Sequence, residues 1–171
     1  MLVQQRGQRS IGIKLLFVDG HRSEAFRKVD DNVYNREGDA FWVKGESSAD
    51  ILLRAPIEPE AAVLGAQARR SLEIDKLTIT LETGPKPNRI TIDTGTEERV
   101  IEMPPGSQQT FELVMAHGVP YKLDPRFPTN YIYMLNISSF SGFVPMFENG
   151  ANDSRFLGVM VRIVPTYAEP K

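Results

Sequence analysis

Along this chain apolar and polar residues alternate with a period of two in short bursts, each closed by turn residues. Ile11, Ile13, Leu15 and Phe17 form the first burst, and Asp19-Gly20 ends it with a hairpin-type turn signal. Ala40 to Val43 and Asp50 to Arg54 read as two further short strands, parted by Gly45-Glu-Ser-Ser48. Leu77, Ile79 and Leu81 alternate with Thr78 and Thr80, the cleanest half-buried strand in the chain, since β-branched residues suit a pleated surface.

Gly84-Pro-Lys-Pro87 then turns the chain into Arg89 to Asp93, with Ile90 and Ile92 on one face. Thr94-Gly95 leads to Val100 to Met103, and Pro104-Pro105-Gly106 turns again into Phe111, Leu113 and Met115. From Leu77 to Met115 these segments read as an antiparallel meander. Tyr131 to Ile137 and Phe156 to Val164 close the set, the latter with Leu157, Val159, Val161 and Ile163 on one face. About nine or ten strands predict an all-β fold, an antiparallel two-sheet β-sandwich of jelly-roll type. The predicted core is Leu77, Ile79, Leu81, Ile90, Ile92, Phe111, Leu113, Leu157, Val159 and Val161.

One stretch breaks the pattern. Glu58 to Arg70 is rich in Ala and Leu, and Pro59 suits a first helical turn. Gly65 in its middle costs about 1 kcal/mol against Ala, so a short helix and an irregular connection both stay open. The 171 residues suffice for one domain spanning 1–171, with residues 1–9 and 165–171 as loose ends.

A formal net charge of -2, with Arg69-Arg70 the densest basic pair, leaves no footprint for nucleic acid. No run approaches the ~18 apolar residues of a membrane span. Met1-Leu2-Val3 passes at once to Gln4, Gln5 and Arg6, so no signal-peptide pattern is expected. A module working in the periplasm or outside the cell would then be expected to be a fragment of a longer chain or to have lost its leader.

With no cysteine, thiolate catalysis, disulfides and Cys-type metal sites are excluded. The two histidines, His21 and His117, each stand beside a glycine in an expected turn, and no Gly-x-Ser-x-Gly occurs. Ser138, Ser139 and Ser141 follow a strand, where hydroxyls commonly bond the backbone. Asp30-Asp31 and Glu97-Glu98 could serve as a glycosidase pair but lie in polar connections, where solvation is the usual fate. Asp19, Asp30, Asp31, Asp39 and Asp153 are loop oxygens of the kind a structural Ca²⁺ uses, though Asp-x-Asp-x-Asp spacing is missing. The chain is therefore expected to be non-catalytic, with no cofactor beyond such an ion.

The aromatics offer more. A sugar face stacks on a flat ring while neighbouring amides, carboxylates and guanidiniums bond its hydroxyls. Trp42, Tyr34, Tyr121, Tyr131 and Tyr133 supply rings; Asn149, Asn152, Asp153 and Arg155 crowd one glycine-containing loop, Glu148 to Arg155. The competing account puts Trp42 in the core, because alternation in Phe41-Trp42-Val43 forces one ring inward. Tyr131 and Tyr133 share the face of Leu135 and Ile137 and are read as structural. Asp153 and Arg155 could equally pin the loop to the sandwich.

The run from Ser141 to Ile163 carries an aromatic-x-Pro step (Phe143 to Pro145), a Gly/Asp-containing loop, and Arg155-Phe-Leu-Gly-Val159. In that order these resemble the closing segment of β-sandwich accessory modules appended to bacterial enzymes and membrane proteins of surface-glycan assembly. The resemblance implies a module that binds or positions carbohydrate; the crowded loop and the aromatics put Asn149, Asn152, Asp153, Arg155 and Trp42 forward as the residues that face the glycan. A protein-protein assembly module without sugar binding is the alternative, and a small hydrolase stands third.

Overall fold

The computed structural model describes residues 14–18, 24–28, 31–54, 73–115, 118–122 and 130–168. Eleven strands and one helical turn occur among them: β1 (Lys14–Val18), β2 (Glu24–Lys28), β3 (Ala40–Lys44), β4 (Ser47–Arg54), β5 (Ile74–Thr83), β6 (Asn88–Asp93), β7 (Glu98–Met103), β8 (Gln108–Val114), β9 (Val119–Tyr121), β10 (Asn130–Ser139), α1 (Pro145–Asn149) and β11 (Leu157–Tyr167). Every pairing between strands is antiparallel. A seven-stranded sheet runs β1-β2-β4-β10-β6-β7, with β9 also on β10, and a four-stranded sheet runs β3-β11-β5-β8. The expected all-β two-sheet sandwich is what the chain forms.

Alternation does the work of closing it. From β4, β10 and β6 the side chains of Ile51, Leu53, Leu135, Ile137, Ile90 and Ile92 point inward. They meet Val43, Val159, Val161, Leu77, Ile79 and Leu81 from the other sheet. Each such burial is worth about 1.5–3 kcal/mol against exposure. Nine of the ten expected core residues are buried, and Phe111 is half-buried against the core with the Arg99 guanidinium 5.1 Å from its ring centroid. Tyr133 is buried and Tyr131 packs against the same core, as their shared face with Leu135 predicts.

The expected meander is corrected. β6 and β7 form a hairpin in the seven-stranded sheet, whereas β5 and β8 pair with each other in the four-stranded one. Alternation tells which face of a strand is buried but not which sheet it joins; Gly84 to Pro87 and Pro104 to Ser107 are crossings between layers. The segment Glu58 to Arg70 lies outside the described residues, as do His21 and His117. Helical structure appears where none was expected, at α1, with Pro145 opening the turn and Gly150 closing it at φ 71°.

These crossings gather four connections at one end of the sandwich. Gly106 N donates to Gly84 O (2.7 Å) and Gly45 N to Phe156 O (3.1 Å), so the β3–β4, β5–β6, β7–β8 and β10–β11 links meet there.

Candidate functional site

The β10–β11 connection, residues 140–156, is the longest described link at that end. Its base is pinched where Phe143 and Leu157 exchange two backbone hydrogen bonds of 2.8 Å. Within it Asn149 Oδ1 accepts from Ala151 N (3.0 Å), and Met146 N donates to Asp153 O (2.9 Å). The loop is thus held by its own backbone, as an Asx turn and one helical turn require.

Arg155 anchors it to the sheet. Its Nε and Nη2 donate to the Asp153 carboxylate (2.9 Å to Oδ1 and 2.6 Å to Oδ2), and its Nη1 lies 2.7 Å from Glu37 Oε1. The guanidinium sits 5.3 Å from the centroid of the Tyr34 ring, and Tyr34 Oη accepts from Phe156 N (3.0 Å). Hydrogen bonding from the Arg155 side chain holds the Asp153 carboxyl at about 2, well below its ordinary 3.8. The same bond, with Glu37 adding to it, pushes the guanidinium further up.

Trp42 leaves the core. Phe41 and Val43 point inward, and Trp42 lies half-buried on the outer face of the four-stranded sheet. Phe143 meets it edge to face, with centroids 5.8 Å apart and planes at 75°. Gly84 makes this possible, because a Cβ there would overlap the Phe143 ring. Tyr34 N donates to Trp42 O (2.9 Å), which joins the tryptophan to the Arg155 cluster through one backbone bond.

The structure therefore brings Trp42, Asp153 and Arg155 to one edge of β3. Asn149 is exposed but committed to its own turn, and Asn152 is exposed nearby in the chain. Sequence reasoning missed Glu37 and the part Phe143 plays beside Trp42. Only the Asp153-x-Arg155 spacing hinted at the cluster, since Glu37 comes from a distant turn. Of the other expected ion ligands, Asp39 contacts Arg162 Nε at 2.7 Å, an ionic approach in which that N–H makes no hydrogen bond. Asp19 and Asp30 lie outside the described residues, and among the described ones no three His, Asp or Glu side chains converge on a metal position.

Under the loop is a polar knot closed to solvent. Asn88 Nδ2 donates to Ser139 Oγ (2.8 Å) and approaches Ser141 O and Gly158 O at 3.2 Å, while Asn88 Oδ1 accepts from Ser141 N (2.9 Å). It ties β6, the start of the loop and β11 together and so fixes where the loop leaves the sheet.

Among the described residues no helix is long and apolar enough to cross a membrane. No family model, curated protein or solved structure matches the chain.

Proposed function

We propose that this protein is a non-catalytic module that binds or positions carbohydrate, using the outer edge of β3 and the Glu148 to Arg155 loop. One observation carries the reading: the only tryptophan of the chain stands outside the core, braced by Phe143 and joined to a fixed guanidinium-carboxylate cluster. A lone tryptophan ordinarily serves a core. A ring held half-open on a sheet face offers the apolar side of a sugar something to stack on. Asp153, Arg155 and Glu37 are already ordered by each other, so engaging hydroxyls through their remaining lone pairs and protons costs little further entropy. Asn152 adds an exposed amide. The likeness of the Ser141 to Ile163 run to modules of surface-glycan assembly supports the same class of ligand.

A glycan array probed with the whole chain, followed by titration with Trp42→Ala, Asn152→Ala and Arg155→Ala, tests it. Binding that falls about tenfold or more with Trp42→Ala in a protein that stays folded supports the reading. Silence across the array, or binding untouched by all three substitutions, ends it. Weak affinity for a single module is expected, since such modules gain strength by multivalency.

A second reading, a protein-assembly module, is favoured by α1, where Phe147 is 82% exposed and Met146 41%. Such neighbouring apolar side chains on a protruding turn are what a partner surface would cover.

A further inference from the structure

On the outer face of the seven-stranded sheet, Asp50, Asn136, Asp93 and Glu98 stand in one register row across β4, β10, β6 and β7. Three carboxylates thus span three strand spacings, about 14 Å. Asn136 Nδ2 donates to Asp50 Oδ1 (2.7 Å) and Gly95 N to Asp93 Oδ1 (2.7 Å). Among the described residues no ion pair reaches any of the three carboxylates. Arg89, on this face, is spent on Glu102 (3.5 Å), and Arg54 stands two rows away beside Ile132. Asp93 faces Glu98 directly across the pair, an arrangement that costs stability in a free sheet.

Apolar side chains stand in both rows that flank the carboxylates: Leu52 and Met134 on one side, and Val100, in line with Ser48, Ser138 and Thr91, on the other. Met134 is 58% exposed on one side, followed by Val119 at 68%; Val100 (44%) and Phe140 (57%) lie on the other. Half of the eight large apolar side chains that are most exposed among the described residues therefore share this face.

We propose that this face docks an extended basic segment of a partner protein, with its Lys or Arg side chains on the Asp50–Asp93–Glu98 row and its aliphatic side chains on Met134 and Val100. Charge complementarity selects the occupant: a cationic segment relieves the Asp93–Glu98 opposition, and the apolar flanks demand more than charge alone. The surface lies on the opposite layer from Trp42, so it is independent of the glycan reading and would let one module hold a ligand and a partner together.

The test uses the whole chain and a fluorescein-labelled peptide, KLTKTVK, whose Leu, central Lys and Val share one face when extended, in an anisotropy titration at about 0.15 M salt. The controls are the same peptide with Leu and Val replaced by Ser, and with Lys replaced by Glu. The proposal expects binding of KLTKTVK, loss of about tenfold or more in affinity in Asp93→Asn/Glu98→Gln and in Met134→Ser, and comparable weakening for the serine peptide. Asp93→Asn keeps Oδ1 for Gly95 N, so that double variant retains its fold, checked by circular dichroism. Absence of binding overturns the proposal, as does equal affinity for the serine peptide, which would mean charge attraction only. Indifference to both variants also overturns it. So does a protein dimer, seen by sedimentation, that Met134→Ser dissociates, because the face would then belong to a second copy.

Discussion

Asn88 and Ser139 meet at 2.8 Å in a position closed to solvent, and the geometry of the candidate site depends on that pair. Asn88 is 5% exposed and Ser139 2%. One amide there serves groups from three segments, including the Ser141 N–H and the Gly158 carbonyl.

Asn88→Leu should therefore cost about 2–4 kcal/mol, because it strands buried donors and acceptors that the amide now satisfies. Urea denaturation measures it. Asn88→Asp should cost at least as much at neutral pH, since a carboxylate keeps the acceptor for Ser141 N but faces the Ser141 and Gly158 carbonyls with charge in place of N–H. A loss below about half a kcal/mol in both variants would show that water replaces the amide.

Much of this fold was legible in the sequence, because burial on one face forces a period of two. Leu77 to Leu81 and Leu157 to Ile163 announce both their strand character and their buried sides. The partner sheet was not legible: β6 and β7 alternate just as β5 does, yet they join the other layer. That choice is made by the crossings and by contacts far apart in sequence. In the site, the loop and Trp42 could be named, whereas Glu37 could not, because only folding carries it to Arg155. The α1 turn is too short for periodicity to reveal, although Pro145 and Gly150 bracket it as helix ends require.

Tyr133 offers a second test of the core. Its hydroxyl accepts from Ile74 N at 2.9 Å, and burial pushes its ionisation above the ordinary value of 10.0. Tyr133→Phe should cost about 1–3 kcal/mol by leaving the Ile74 N–H unpaired. The folded state favours the neutral phenol. Its contribution is thus complete below the ordinary tyrosine range and is lost as pH rises from there through the raised folded value. Urea titrations at neutral pH and above pH 10 should show an alkaline decline that is shallower in Tyr133→Phe.

Asp153 gives the acid counterpart. Its folded carboxyl titrates at about 2 against 3.8 ordinarily, because Arg155 bonds the charged form. The stabilisation is present above the ordinary value and fades as pH falls from there through about 2. Asp153→Asn should remove that part of the acid decline, so that melting curves of variant and parent converge near pH 2. Parallel curves across the window would mean that Asp153 is not held by Arg155 in solution.

The contact between Phe143 and Trp42 is open to a direct optical test, since the chain has a single tryptophan. Gly84→Ala sets a Cβ into the Phe143 ring, which must swing away and uncover Trp42. Its emission should shift to the red, and the strain should cost about 1–3 kcal/mol. Phe143→Ala should give the same red shift by removing the ring outright. The double variant decides the cause: with the ring already gone, Gly84→Ala has nothing left to displace, so the pair should cost little more than Phe143→Ala alone. Full additivity of the two losses would instead locate the damage in the backbone of the β5–β6 crossing, where Gly84 O accepts from Gly106 N.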